Sequence, residues 1–161
     1  MKTRTNQSAE LSGLDEIRGT TNIQLIELAK CLSIPNFYCI CKDEFFIVKS
    51  ELPANGLSFR SPRTIGPLNI VVNLNDSDKN VNGHWCLCFI DSKQKIYYSS
   101  YGDPIPVEVK KFMMEVDDRL ILSSNFQIQH FNEDTCGLYC ILILFLLNDK
   151  LKFEDIIISF V

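Results

Sequence analysis

Several features that would indicate common classes of protein are missing from this chain of 161 residues. It has two histidines and no Cys-x-x-Cys pair, so we expect neither a zinc site nor any other cofactor. No stretch reaches the roughly 18–20 apolar residues of a membrane span, and the longest apolar run, 138–147, is typical of a core helix. The chain also lacks excess positive charge. Its net charge of −4 argues against nucleic acid as the main partner.

Cysteine is plentiful, but its pattern argues against a disulfide framework. The chain has seven cysteines, an odd number, and shows no cleavable leader. The pairs Cys39/Cys41 and Cys86/Cys88 have a spacing that puts both thiols on one face of a strand, where they usually act as small buried hydrophobic residues. We therefore expect a reducing compartment.

The sequence divides into a polar start and one folded region. Residues 1–20 carry mixed charges without hydrophobic periodicity, which predicts a flexible tail or a short arm that docks on the domain. Residues 21–161 are then expected to form a single domain, because the length suits one core and 46% of the chain is hydrophobic. The apolar spacing after Thr21 predicts an amphipathic helix with a polar cap, which ends at Ile34-Pro35.

The remaining pattern predicts an α+β fold with a small antiparallel sheet packed with helices. Three consecutive strands in a meander are expected at 68–74, 85–90 and 95–101. Less regular stretches predict one or two strands within 37–48, a loop at 50–67, and extended segments at 120–123 and 126–129.

Further helices are expected at 107–116, at 136–147 and from Phe153 onward. The 136–147 segment is apolar on all sides, which predicts a buried helix in the centre of the domain.

The first candidate for chemistry is Cys136, at the start of that central helix. Unpaired N–H groups and the positive end of the helix dipole stabilise a thiolate there, so we expect a lowered thiol pKa. Gly137 would let a substrate chain approach the backbone closely. The alternative is an inert cysteine buried in the helix, and this is how we interpret Cys140 one turn later.

His84 and Gln129 supply two further groups that a thiol nucleophile needs. A neutral imidazole at the mouth of a strand can take the thiol proton. An amide shortly before Cys136, with the backbone N–H of Cys136, can form an oxyanion hole, in which one donor is typically worth roughly 2.7–4 kcal/mol. The alternatives are a surface or capping histidine and a polar glutamine at a strand end. His130, the other histidine, is expected on a loop surface.

The order of these motifs resembles that of a known family. The motifs are His84-Trp85, the run Tyr-Tyr-Ser-Ser-Tyr-Gly at 97–102, Gln129, and Cys136-Gly137. They resemble the adenovirus-type and ubiquitin-like-protein-specific cysteine proteases, above all the small maturation proteases of adenovirus-like viruses, virophages and related large DNA transposons. Asn-Leu-x-Asp-Ser at 73–77 and Tyr-Gly-x-Pro-x-Pro at 101–106 fit the same resemblance, which covers roughly residues 20–150.

The resemblance implies a role for each position. Cys136 would be the nucleophile, His84 the base and Gln129 the oxyanion donor. Trp85 would wall a narrow substrate cleft suited to small residues such as Gly-Gly, next to Gly137.

One position departs from the family pattern. The family has an aspartate that orients the histidine, and this chain has Ser99 there. A serine can accept the histidine N–H but carries no charge to stabilise an imidazolium, and losing such an acid in a serine-protease triad lowers turnover about 10⁴-fold. Asp103 is the best candidate for a substitute, ahead of Asp76 and Asp78.

The resemblance thus implies a cysteine endopeptidase that cleaves after small residues in viral precursor proteins or ubiquitin-like modifiers. We expect a monomer with a protein substrate and no membrane or nucleic-acid partner, in the host cytoplasm or nucleus or packaged in virions. Ser99 motivates the alternative of a weakened or inactive protease fold that binds a partner's tail. A third interpretation, a redox or metal-binding cysteine protein, would use the pairs Cys39/Cys41 or Cys86/Cys88.

Overall fold

The structure is a computed structural model and describes residues 20–52, 66–79 and 83–161. The predicted tail, apart from Thr20, and most of the predicted 50–67 loop lie outside the described residues. In chain order the elements are α1 (Asn22–Cys31), β1 (Phe37–Cys41), α2 (Phe45–Glu51), β2 (Leu68–Asn73), β3 (Trp85–Ile90), β4 (Lys95–Ser99), α3 (Val107–Val116), β5 (Ile121–Ser123), α4 (Cys136–Asn148) and α5 (Phe153–Ile158).

A five-stranded sheet in the order β1-β2-β3-β4-β5 forms the centre of the fold. Its inner strands β2, β3 and β4 pair antiparallel, which confirms the predicted meander. The outer strands correct the expectation of an antiparallel sheet, because β1 pairs with β2 and β4 pairs with β5 in parallel. The α+β class is confirmed, with a sheet that is larger and mixed.

Helices cover both faces of the sheet. Every residue of β2, β3 and β4 is buried, as expected for strands that are packed on two sides. One core contains Leu87 and Phe89 together with residues of α1, α4 and α5. The other contains Cys86 and Cys88 together with residues of α2 and α3, so these two thiols are the small buried hydrophobic residues that their spacing predicted.

Two segments were predicted only in outline, 37–48 as one or two strands and 126–129 as extended, and the first contains one strand, β1. The second half of the 37–48 stretch is the helix α2 and not a strand, with the ring of Phe45 stacked 4.5 Å from that of Phe112 in α3. Residues 126–129 do not join the sheet. Instead, the N–H groups of Ile128 and Gln129 both donate to the carbonyl of Ser100, at 2.9 and 3.1 Å.

Helices α1 and α4 begin where the sequence predicts, but α4 is less buried than expected. Thr21 caps α1, since its hydroxyl accepts from the N–H of Gln24 and the Gln24 side chain accepts from the N–H of Thr21. Helix α4 packs on β3, but its outer side is not covered. The exposed fractions of that side are 43% for Leu138, 41% for Leu142 and 37% for Phe145, so the prediction of burial all round was wrong there.

Candidate active site

Cys136 is the first residue of α4 and is half-buried. Burial raises the pKa of its thiol, and the nearby backbone N–H groups of Trp85, Gly137 and Cys136 lower it without reversing the shift. The predicted lowering of this pKa was therefore wrong, because loss of water around the sulfur outweighs the start of the helix. Thr135 occupies the cap position, but its hydroxyl is buried and has no hydrogen-bond partner among the described residues.

His84 lies directly before β3, and its two ring nitrogens differ in their hydrogen bonding. Nε2 lies 2.9 Å from Oγ of Ser99, whereas Nδ1 is buried and has no hydrogen-bond partner within the described part of the chain. Burial lowers the pKa of His84, and the charge of Asp103 opposes that shift. The ring of Tyr101 stacks on the imidazole with centroids 4.5 Å apart, which fixes the plane of the ring.

The register of β3 and β4 brings Ser99 to the histidine. Ser99 pairs with Cys86, two positions after His84, so the end of one strand lies beside the start of the other. Ser99 is fully buried, and its hydroxyl donates to Oδ2 of Asp103 at 3.1 Å. The hydroxyl also accepts from the N–H of Tyr101 at 3.3 Å.

Of the three aspartates considered as substitutes for the missing acid, the structure brings Asp103 to the histidine. Its Oδ2 lies 3.8 Å from Nε2 of His84. Asp76 instead lies 3.6 Å from the ammonium of Lys42, and the side chain of Asp78 is 76% exposed beside Lys79.

Gln129 is buried near the start of α4, with its side-chain amide already paired. Its Oε1 accepts from the hydroxyl of Ser100 at 2.7 Å. Its Nε2 donates to the carbonyl of Glu133 and, at 3.5 Å, to the hydroxyl of Tyr101. An oxyanion role for Gln129 therefore requires its amide to leave at least one of these partners.

Trp85 and Gly137 form part of the packing around the nucleophile. The Trp85 side chain is 5% exposed, and its indole N–H donates to the carbonyl of Thr20 at 3.0 Å. Trp85 also lines a cavity of about 310 Å³ that is bordered by β1 and the start of α1. A Cβ added at Gly137 would lie 3.0 Å from Leu25, so the absence of a side chain there lets α4 approach α1. Contact of either residue with substrate stays a prediction.

Sequence reasoning missed two residues of this site, Ser100 and Tyr101. Ser100 holds Gln129 through both its hydroxyl and its carbonyl, and Tyr101 contacts His84, Ser99 and Gln129. Their position directly after Ser99 was the available signal, since a turn after a strand returns its residues to the strand end.

Nothing in the described ranges suggests a metal centre or a membrane segment. They contain no group of three or more histidine, cysteine, aspartate or glutamate side chains that could hold a metal ion. They also contain no helix that is both long enough and apolar enough to span a bilayer.

Solved protein structures share this architecture. Two crystal structures of the ASFV pS273R protease, one of them with selenomethionine, match 85% of the chain with TM-scores of 0.58 and 0.62 and identities of 16% and 15%. A structure of the SUMO protease Ulp1, with its catalytic cysteine oxidised to a sulfinic acid, matches 94% of the chain with a TM-score of 0.53 and 16% identity. The chain has the fold of the ubiquitin-like proteases.

The likeness has limits in sequence and in length. At these identities it describes the fold alone. The chain spans 60–61% of the length of the pS273R structures and 80% of the Ulp1 structure. It matches no protein-family model and no curated protein sequence.

Proposed function

We propose that this chain is a cysteine-type peptidase with Cys136 as nucleophile and His84 as base. The observation that carries the proposal is the state of the imidazole. Nε2 is held by Ser99, and Nδ1 is buried and unpaired among the described residues. The next residue in the chain, Trp85, directs its backbone N–H to the Cys136 thiol. This arrangement, in a fold shared with solved cysteine proteases, fits a base that receives a thiol proton.

The chemistry follows from these groups. Nδ1 of His84 takes the thiol proton while Sγ of Cys136 attacks the substrate carbonyl carbon. The imidazolium then gives that proton to the leaving amine, and a thioester remains on Cys136. Water attacks the thioester with His84 as base, which releases the acid product and the thiol. The N–H of Cys136 stabilises the oxyanion, joined by Gln129 once its amide leaves the carbonyl of Glu133.

The resting pair is neutral in this mechanism. Burial raises the pKa of Cys136 and lowers that of His84, and both shifts disfavour a preformed thiolate–imidazolium pair. Proton transfer therefore accompanies attack on the substrate.

Among substrates, we favour proteins cut after small residues such as Gly-Gly, either viral precursors or ubiquitin-like modifiers. The two neighbours, which are by name a viral protease and a SUMO protease, support this substrate class. All seven cysteines are free thiols, which supports an intracellular site of action. A maturation role of the adenovirus type, in the host cytoplasm or nucleus or in virions, is the form we favour, with the enzyme a monomer.

A vinyl-sulfone probe that ends in Gly-Gly tests the proposal. It should form an adduct on Cys136 that is lost in Cys136→Ala and strongly reduced in His84→Ala. His130→Ala is the matched control, because His130 is exposed on a loop. Cys31, an exposed free thiol, is replaced by serine in all samples to remove background labelling. Labelling of Cys136 that is indifferent to His84 would contradict the mechanism.

A second candidate is a binding module that grips a protein tail without cutting it. Two observations favour it: the uncharged Ser99 is the direct partner of the imidazole, and the amide of Gln129 is already paired. Tight binding of a Gly-Gly peptide without turnover, together with a very large gain of hydrolysis in Ser99→Asp, would select this candidate.

A further inference from the structure

Ser99 stands between His84 and a carboxylate, and the three groups form a continuous hydrogen-bonded chain. Nε2 of His84 lies 2.9 Å from the Ser99 hydroxyl, and that hydroxyl lies 3.1 Å from Oδ2 of Asp103. The imidazole and the carboxylate are 3.8 Å apart, beyond direct hydrogen-bond distance.

The bonding capacity of a hydroxyl group decides the direction of each bond in this chain. A serine hydroxyl has one hydrogen to donate and two lone pairs to accept with. An ionised carboxylate can only accept, so the Ser99 hydrogen goes to Asp103. The N–H of Tyr101 occupies one lone pair. The Cys86 thiol also contacts this hydroxyl, but a thiol is a weak hydrogen-bond donor. The other lone pair therefore accepts from Nε2 of His84, which carries a hydrogen.

We propose that Asp103 is a positioning residue that acts on His84 through Ser99, fixing the tautomer with hydrogen on Nε2 and leaving the Nδ1 lone pair free. This inference rests on the proposed function, in which Nδ1 accepts the thiol proton. The site then retains an acid although position 99 is a serine, with the carboxylate placed one hydroxyl further from the ring.

A turn after β4 makes this placement possible. The N–H of Gly102 donates to the carbonyl of Ser99 at 3.0 Å, and Gly102 has a φ of +72°, a conformation that side chains disfavour. The tight turn brings Asp103 back over the residue that ends the strand. A second reason for glycine is space, since a Cβ would lie 2.6 Å from the carbonyl oxygen of Asn125.

The other titratable groups around the imidazole do not replace Asp103. Tyr101 stacks on the ring face, and burial raises its pKa and that of the Cys136 thiol. The thiol of Cys86 is fully buried, and burial raises its pKa to about 12, so it stays neutral. Among the residues that the structure describes, Asp103 is therefore the anionic group in contact with the pair formed by His84 and Ser99.

A double-mutant cycle tests whether Asp103 acts on His84 through Ser99. The variants are Asp103→Asn, Ser99→Ala and their combination, all with Cys31→Ser, and the measurement is the rate of iodoacetamide reaction at Cys136 between pH 5 and 9. We expect each single variant to slow the reaction near neutral pH by about 10- to 100-fold, the range of a hydrogen bond to a charged group. Asp103→Asn should add little once Ser99 is alanine. Asp78→Asn, an exposed acid beside Lys79, is the control that should leave the rate unchanged.

A second readout does not depend on catalysis. Nitrogen-15 NMR of the ring should show hydrogen on Nε2 of His84 in the wild-type protein, and a mixture of tautomers in Ser99→Ala. The titration of His84 should move to lower pH in Asp103→Asn, because the lost charge had stabilised the imidazolium.

The outcomes separate this inference from the proposed function. We call the action of Asp103 on His84 through Ser99 the relay. Hydrogen on Nδ1 in the wild-type ring, or an Asp103→Asn effect that is equally large with and without Ser99, would overturn it. An Nε2–H ring that responds to Asp103 supports it, even where Cys136 reacts with no peptide. That last result would count against the peptidase and leave the positioning role in place.

Discussion

Replacing Ser99 by aspartate tests whether a carboxylate already supports His84 in this site. The hydroxyl that would become a carboxylate lies 2.9 Å from Nε2 of His84 and 3.1 Å from Asp103. Ser99→Asp therefore gives the imidazole a direct acid but also places two carboxylates side by side. Ser99→Asp with Asp103→Asn gives the direct acid without that repulsion.

The repulsion can be sized from these distances. Two charges about 4 Å apart repel by about 4 kcal/mol at an effective dielectric constant of about 20. The Asp103 side chain is 49% exposed, so solvent screens much of this, and about 1–2 kcal/mol is the figure we expect. Such a pair holds one proton to a pH about one unit above that of an isolated carboxyl group.

The assay is hydrolysis of a fluorogenic peptide with Gly-Gly before the leaving group, followed from pH 5 to 9. With Asp103 present, Ser99→Asp should raise kcat/KM at pH 7 by less than about tenfold, because the relay already supplies a charge. In the Asp103→Asn background the same change should give a larger gain. The rate of the single variant should also rise between about pH 5 and 6, as the shared proton leaves the pair.

A gain near 10⁴ for Ser99→Asp in the otherwise unchanged protein would refute the relay. A gain of that size is what restoring an absent acid to an inert site would give. Equal gains with and without Asp103 would refute it as well. Far-ultraviolet circular dichroism and thermal melting of each variant establish that the fold is intact.

Three further predictions concern the support of the site and of the sheet. Gly102→Ala should lower the melting temperature and slow Cys136 alkylation, since the left-handed conformation costs about 1–2 kcal/mol and the new Cβ meets Asn125. Because burial raises the pKa of Cys136, its alkylation in Cys31→Ser protein should keep rising with pH beyond the ordinary thiol pKa, whereas a plateau from acidic pH would indicate a preformed ion pair. At Asp117, burial raises the pKa, but hydrogen bonds from Arg119 and Lys95 outweigh it and bring it to about 2. That stability exists above the ordinary value of 3.8 and is lost as pH falls towards 2, so Asp117→Asn should cost about 1–2 kcal/mol in urea unfolding at pH 7 and little near pH 2.

The local sequence pattern was enough to predict those elements in which neighbouring residues favour the same secondary structure. The polar cap at Thr21 and the apolar spacing after it predicted the start of α1, and the apolar face of 107–116 predicted both bounds of α3. It was not enough for α2. Phe45, Phe46, Ile47 and Val48 favour a strand by propensity, but burial of Phe45 and Val48 against the sheet and α3 makes this segment a helix.

The parallel pairing of the two edge strands also could not be predicted from the sequence. Strand β1 joins β2, and the three-residue β5 joins β4, through pairings between segments that are distant along the chain. Such pairings depend on how the helices between them pack, and the side-chain alternation of each strand carries no record of them.

The sequence by itself determined the groups available for catalysis: a thiol at the start of an apolar helix, a histidine before a strand, an amide between them, and a serine where the resembled family has an acid. The tertiary structure decided how those groups act. Burial set the direction of both pKa shifts, and the paired amide of Gln129 defined what substrate must displace. The turn at Gly102 brought Asp103 to Ser99, because contact between two side chains depends on the path of the backbone between them.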